Sequence, residues 1–292
     1  MSAKRTNRIF LGDNLEVLRK LPSDSFQLIY IDPPFNTGHS QVRQTRKSIP
    51  DTSGSPGFQG RTYRQDVISR LRYQDDFQDY WAFLEPRLIE ARRLLKQSGT
   101  LYLHLDYREA HYAKVLLDEI FGRDCFLNEI VWAYDYGARS KSRWPAKHDT
   151  ILVYVRDPKQ YFFDSKAVDR EPYMAPGLVT AEKAKLGKLP TDVWWHTIVS
   201  PTGKEKTGYP TQKPLGILRR IVEASSRVGD EVLDFFAGSG TTGEAAAQLG
   251  RLFTLVDSNP EAVAVMRDRF QKRNISCEIV FAEPITPIAQ SR

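Results

Sequence analysis

The sequence predicts an α/β protein built on a doubly wound, mostly parallel sheet, with a further module inserted into it. Three observations carry this. Apolar runs of strand length alternate with segments of helical period. The runs end in acids, at Asp13, Asp32, Asp106, Asp234 and Asp257. A glycine-rich turn, Gly238-Ser239-Gly240-Thr241-Thr242-Gly243, lies between a strand and a helix, where such sheets bind ligands at the carboxyl ends of their strands.

The elements follow in order. Arg8-Ile9-Phe10-Leu11 is a short strand closed by Gly12 and Asp13, and Leu15, Leu18 and Leu21 give residues 14–21 a helical face that Pro22 ends. Residues 26–31 are apolar enough for a strand buried on both faces. Residues 39–72 lack periodicity, contain Ser53 to Gly57 as a turn cluster, and carry more arginine and lysine than acid, including Arg43, Arg46 and Lys47. They read as a long mobile loop. Residues 79–96 form an amphipathic helix through Trp81, Leu84, Leu88, Ala91 and Leu95, with Gly99 as its cap. A buried strand at 100–105 and a helix at 109–121 follow. From about 127 to 200 the alternation breaks. Two strands, at 129–132 and 150–155, flank a stretch in which Tyr134, Tyr136 and Trp144 interleave with Arg139, Lys141, Arg143 and Lys147. That composition suits phosphate contact and base stacking. The strand–helix pattern then resumes through the strands at 231–236, 251–256 and 276–281.

Composition bounds the function. The 292 residues are 41% hydrophobic and 27% charged, values of a globular chain able to bury a full core. The net charge of +6 favours a polyanionic partner. Cys125 and Cys277 have no metal or redox spacing and read as reduced thiols of a cytosolic protein. Residues 1–8 are polar and basic, and no run is long enough for a bilayer, so a cytoplasmic protein is expected. His104, His111, His148 and His196 lack ligand spacing, and no metal is assigned.

Two stretches bear chemistry. Asp32-Pro33-Pro34-Phe35-Asn36 puts a carboxylate, a stiff corner and an aromatic ring at the end of the 26–31 strand. A carboxylate, a carbonyl and a flat ring on one corner can hold a planar amine-bearing ring. The glycine turn fits G-x-G-x-x-G, and Asp257 ends the next strand fourteen positions after Gly243, where an acid can take a ribose hydroxyl. A nicotinamide dinucleotide is the first rival reading. Against it, fewer than about fifty residues follow the fingerprint, and no module of hydride-transfer character accompanies it.

Asp32-Pro33-Pro34-Phe35, Thr211-Gln212-Lys213-Pro214 and Asp234-Phe235-Phe236-Ala237-Gly238-Ser239-Gly240-Thr241-Thr242 resemble the catalytic, pocket and cofactor motifs of S-adenosylmethionine-dependent amino-DNA methyltransferases. Their order resembles the permuted β group. The extended Asp-Pro-Pro-Phe-Asn-Thr-Gly is similar to adenine-specific members, including modification subunits of type III restriction systems. The resemblance implies a Rossmann-like methyltransferase fold that takes S-adenosylmethionine and duplex DNA. Residues 1–131 would be the catalytic half, 132–200 a target-recognition module and 201–292 the cofactor half.

It also implies roles. Asp32, the Pro33 carbonyl, Pro34 and Phe35 match the target-amine site. Asp13, Asp32, Asp234, Phe236, Gly238, Ser239, Gly240, Thr241, Thr242 and Asp257 match the cofactor pocket, and Thr211 and Lys213 the segment near the methionine carboxylate. Phe35 stands where Tyr is commoner, and Phe235 where Pro is common. Methylation of adenine N6 is the leading expectation, with cytosine N4 next and a non-catalytic DNA-associated regulator third. Methylation at cytosine carbon would need a cysteine nucleophile, and neither cysteine lies near a strand-end motif. The resemblance leaves a homodimer and a cognate restriction enzyme open as further partners.

Overall fold

The computed structural model describes residues 6–36, 41–56, 62–73, 77, 79–135, 140–200, 203 and 205–282. The chain divides into two compact units, Met1–Phe35 with Asp79–Arg292, and Asn36–Gln78.

The larger unit runs β1 (Arg8–Leu11), α1 (Asn14–Lys20), β2 (Phe26–Ile31), then, after the smaller unit with its strands β3 (Gln41–Pro56) and β4 (Thr62–Tyr73), α2 (Tyr80–Leu94), β5 (Leu95–Leu105), α3 (Ala110–Phe121), β6 (Phe126–Ala133) and β7 (His148–Val155). It continues with α4 (Ala181–Leu186), β8 (Val193–Trp195), α5 (Leu215–Ser225), β9 (Glu231–Asp234), α6 (Thr241–Gln248), β10 (Leu252–Asp257), α7 (Pro260–Lys272) and β11 (Glu278–Phe281). The main sheet has the order β11-β1-β10-β9-β2-β5-β7-β6-β8. It is parallel from β11 to β5, and β7 is antiparallel to both its neighbours. This is the predicted α/β class. β2 is buried along its whole length, as its unbroken apolar run requires.

Local chemistry sets the helix ends. Asp13 caps α1 by accepting from the Glu16 N–H, and Asp79 caps α2 by accepting from Ala82 N–H at 2.9 Å. Leu84, Leu88 and Leu94 of α2 are fully buried, each contributing about 1.5–3 kcal/mol. The α2 cap corrects the sequence reading. The helix stops at Leu94, and Leu95, already extended, still donates its N–H to Ala91 O. Gly99 lies inside β5 instead. A Cβ there would come within 2.9 Å of Lys96 O and 3.1 Å of Phe26 O, so this glycine permits a close backbone approach, not a turn out of a helix.

Residues 39–72 are not the irregular loop expected from sequence. Within them β3 and β4 pair antiparallel. The register shifts between Thr45 and Arg46 and again between Pro50 and Ser55, which both face Tyr63. Residues 51–54 are thereby extruded from the ladder, and the alternation that would have revealed two strands is lost. Residues 39–40 and 57–61 of this stretch lie outside the described residues.

The middle segment divides differently from the expected 132–200 block. β6 and β7 belong to the main sheet, and Trp132 and Trp194 are buried in the core. Trp144 and Trp195 are 94% and 78% exposed. α4 and β8 are short elements within the stretch where the strand–helix alternation breaks.

At the cofactor-motif end, α6 and α7 are joined by a buried ion pair. Arg269 Nε meets Glu244 Oε2, and Arg269 Nη1 donates to Thr241 Oγ1 at 2.8 Å and Ser239 O at 3.1 Å. Their side chains are 3% and 1% exposed. Arg273, 47% exposed, reaches the other Glu244 oxygen at 3.0 Å. Breaking a buried pair from one side strands its partner. Arg269→Met should therefore lower stability by about 3–5 kcal/mol in urea denaturation. Arg273→Met, at the solvent edge, should cost under about 1 kcal/mol.

Candidate active site

The parallel sheet brings the sequence motifs together. Leu28 and Ile29 of β2 pair with Val232 and Leu233 of β9, and Leu255 of β10 pairs with Asp234. Asp32, Asp234 and Asp257 consequently emerge on neighbouring strand ends. After Asp32 the Pro33-Pro34 corner is fixed by Tyr80 of α2, whose hydroxyl donates to Pro34 O at 2.8 Å.

Asp32 and Lys213 form an ion pair, Nζ to Oδ2 at 2.6 Å, with side chains 16% and 12% exposed. The same ammonium lies 4.9 Å from the centre of the Phe35 ring. The other Asp32 oxygen, Oδ1, is buried and has no hydrogen-bond partner among the described residues.

The glycine turn is cross-linked to the strand ends. Asp234 accepts from Thr242 Oγ1 at 2.6 Å and from Phe236 N–H at 3.0 Å. Asp257 accepts from Gly238 N–H at 2.8 Å and Asn259 N–H at 2.9 Å. Gly238 and Gly240 have φ of +49° and +74°, and a Cβ on Gly240 would stand 2.7 Å from Met266 Cγ. Both position and conformation demand glycine there. Ser239 and Thr241 share a hydroxyl contact at 3.1 Å, and Thr241 Oγ1 donates to Lys213 O at 3.2 Å, tying the turn to the Thr211–Pro214 stretch.

Asp13 stands at the end of β1, half exposed, and pairs with Arg87 Nη2 at 3.1 Å. Arg87 also donates to Asn14 Oδ1 at 2.6 Å, Asn14 donates to Phe235 O at 2.7 Å, and Arg87 stacks on Phe83 at 4.0 Å. Phe83 in turn lies 5.9 Å from Phe236. Thr211 is exposed and is not drawn into the cluster among the described residues. Its φ of +58° is an uncommon conformation for a β-branched residue.

Several neighbours were missed from sequence. Arg87, Phe83 and Tyr80 recur at three- and four-residue spacing on α2, a face that faintly signalled them. A buried polar chain gave no signal. Tyr30 Oη lies 2.8 Å from His104 Nδ1, His104 Nε2 lies 3.1 Å from Asp149 Oδ2, and Tyr134 donates to Asp149 Oδ1 at 3.0 Å. His104 is fully buried, 5.9 Å from the Phe35 ring.

Electrostatics mark the cluster. Burial pushes the Asp234 carboxyl up to about 7, Asp32 and Asp257 add to the rise, and its two donors only partly offset it. Burial likewise pushes Asp257 up to about 6, against the Asn259 and Gly238 N–H groups. Burial would also raise Asp149, yet His104, Lys213 and Tyr134 together bring it below the ordinary value.

Residues 26–268 match the family model described as DNA methylase. DNA adenine methyltransferase YhdJ of Escherichia coli K12 is 31% identical over 263 residues, 87% of this chain and 79% of that protein. Type II methyltransferase M.HpaI of Haemophilus parainfluenzae is 28% identical over 262 residues, 90% of this chain and 73% of that one. Among solved structures, the cytosine-N4-specific PvuII DNA methyltransferase superposes with a TM-score of 0.62 at 16% identity, covering 93% of this chain and 89% of that one. The M1.HpyAVI–S-adenosylmethionine complex gives 0.57 at 20% identity, covering 90% and 98%. These two share the fold. The chain belongs to the DNA methylase family and is a DNA methyltransferase of the N6/N4 class.

The raised carboxyls have a pH signature. Asp234 titrates from 3.8 in the unfolded chain to about 7 when folded, so the folded state holds the extra proton in between. Its contribution therefore weakens stability progressively as pH rises from about 4 to 7, and is constant above that. Asp257 acts in the same sense between about 4 and 6. Asp234→Asn should flatten the fall in ligand-free stability across this window, measured by denaturant titration at a series of pH values.

Proposed function

We propose that the protein transfers a methyl group from S-adenosylmethionine to the exocyclic N6 of an adenine extruded from duplex DNA. The observation that carries the reading is the strand-end corner at Asp32. It presents a buried carboxylate oxygen lacking a partner among the described residues, the ammonium on its other oxygen lies 4.9 Å from the Phe35 ring, and the glycine turn is one strand away.

The cofactor fits the residues present. Asp13, Asp32, Asp234 and Asp257 gather along one end of the sheet, where burial, with Asp32 and Asp257 adding to it, pushes the Asp234 carboxyl up to about 7. A ligand with a sulfonium, an ammonium and ribose hydroxyls meets that donor and charge requirement. In this reading Asp257, at the end of β10, takes the ribose hydroxyls, Asp13 and Phe236 the adenine end, and the left-handed Gly238 and Gly240 allow close backbone approach. S-adenosylmethionine supplies, when bound, a methyl group activated by its sulfonium.

The remaining work falls to the chain. An exocyclic amine is a poor nucleophile because its lone pair is delocalised into the ring. Asp32 and the Pro33 carbonyl accept its hydrogens, favour a pyramidal nitrogen and orient the lone pair, while Phe35 stacks on the extruded base. Displacement is direct, so no covalent enzyme adduct is needed. Adenine is favoured over cytosine by the Asp-Pro-Pro-Phe-Asn-Thr-Gly sequence and by the adenine specificity in the name of the E. coli relative.

The test uses labelled S-adenosylmethionine, unmethylated DNA and mass spectrometry of the nucleoside digest. N6-methyladenine is the expected product, and N4-methylcytosine alone would overturn the base assignment. Asp32→Ala should reduce transfer by about 10²–10³-fold or more with cofactor affinity retained.

Target recognition is assigned to the irregular part of residues 140–200. Exposed Trp144 and Trp195 and the basic Lys141, Arg143 and Lys147 provide stacking and phosphate contacts there. Exchanging residues 140–147 and 156–200, which leaves β7 in place, for those of a relative should change the sequence methylated, read by mapping modified bases, and leave the methylated atom the same. An unchanged site preference in a folded exchange would remove this role.

A further inference from the structure

We infer that Lys213 is a positioning residue for Asp32, holding Oδ2 so that Oδ1 is the oxygen that receives the target amine. The inference rests on the methyl-transfer reading above and goes beyond it, because the Thr-Gln-Lys-Pro stretch was expected at the cofactor carboxylate.

The geometry divides the Asp32 carboxylate into two unlike oxygens. Oδ2 is taken by Lys213 Nζ at 2.6 Å, and Oδ1 is buried with no partner among the described residues. A buried acceptor left unsatisfied is costly, so Oδ1 gains most from an incoming N–H. Lys213 also lies 4.9 Å from the Phe35 ring centre, so one ammonium fixes both the acceptor and the stacking ring.

Lys213 is itself held from several sides. Its carbonyl accepts from Thr241 of the glycine turn, and Arg269 donates to that same hydroxyl at 2.8 Å. Gln212 accepts from Thr207 N–H and Oγ1, each at 2.8 Å, and donates to Glu205 O at 2.9 Å. Glu205 Oε1 accepts the first N–H of α5, from Leu215, at 2.5 Å. These bonds sustain the left-handed Thr211, and the sharp corner it makes precedes the inward-pointing lysine.

The surroundings give the cation its purpose. Burial raises the Asp234 carboxyl on β9, and Asp32 adds to that rise. Asp149 on β7 feels the Lys213 charge, and Tyr30 on β2 feels Asp32 and is hydrogen-bonded to His104 on β5. Lys213 offsets this concentration of carboxylates at Asp32. Without it a proton competes for the Asp32 oxygens, and a protonated carboxyl is a poor acceptor. In the transfer, the amine nitrogen bonds the methyl carbon as the carbon–sulfur bond breaks, and that electron pair stays on sulfur. The nitrogen then releases one proton to Asp32 Oδ1, from which it passes to solvent.

The test compares Lys213→Met, Lys213→Arg and the double variant Lys213→Met/Asp32→Asn. Lys213→Met should slow transfer and move the acid limb of the pH–rate profile up by about one unit or more, with cofactor affinity by calorimetry within about twofold of wild type. Lys213→Arg should restore the limb. Cofactor affinity weakened tenfold with the limb unmoved would place Lys213 on the cofactor carboxylate and overturn the inference. A readout free of catalysis is the denaturation cycle. Lys213→Met should destabilise the cofactor-free protein and Asp32→Asn should recover much of that loss, whereas strictly additive effects would overturn the pairing. Failure of the wild type to methylate DNA would instead count against the methyl-transfer reading, and the cycle would still report on the pair.

Discussion

The parallel pairing of β2 with β9 is the constraint on which the site depends. Residues some two hundred positions apart lie side by side, Leu28 against Val232 and Ile29 against Leu233. Parallel strands end at the same edge, so the acids that follow them must share a small volume. Burial at this edge is the main source of the Asp234 shift to about 7, and the neighbouring Asp32 and Asp257 add to it. A sheet selected for stability alone would not place Asp32, Asp234 and Asp257 together. Here the repulsion is moderated by backbone N–H groups, by Thr242 and by Lys213, and what remains is an edge prepared for a positively charged ligand.

The second organising feature lies where the sheet changes direction between β5 and β7. The hydrogen-bonded chain from Tyr30 through His104 and Asp149 to Tyr134 crosses from β2 to the end of β6. Trp132 meets the His104 ring edge-on at 5.4 Å, and its indole N–H donates to His196 O at 2.6 Å. Buried polar groups this fully matched rigidify the layer that carries them. Phe35 therefore rests on a floor held by directional bonds as well as by packing.

What was legible in the sequence was local or repetitive. The strand-end acids, the double proline and the glycine turn each carry their conformation in a few consecutive residues, and their elements stand where the hydrophobic period put them. What was not legible joins distant residues or hides a period. Lys213 and Asp32 are separated by 181 positions, and nothing in either neighbourhood names the other. Arg87 reads as one more polar residue on α2 until Asn14 and Asp13 are brought to it. The β3–β4 pair was obscured by its two register shifts, and Gly99 looked like a helix cap because a close approach between strands leaves the same residue. The tryptophans were the subtlest case. The expected 132–200 module runs from Trp132 through Trp144 to Trp194 and Trp195, whereas side-chain alternation sends Trp194 into the core and its neighbour Trp195 out to solvent.

A nine-stranded sheet has two edges, and each is a ladder of unpaired backbone groups on which another chain can grow. Here the outermost strands are β11, of four residues, and β8, of three. The longer and more apolar β2, β5 and β7 are all enclosed between neighbours. With Val193 and Trp195 both exposed, a longer β8 would make a sticky margin. Its brevity leaves too few rungs for a foreign strand to register against, so an exposed aromatic can stay at the active-site end without inviting polymerisation through the sheet.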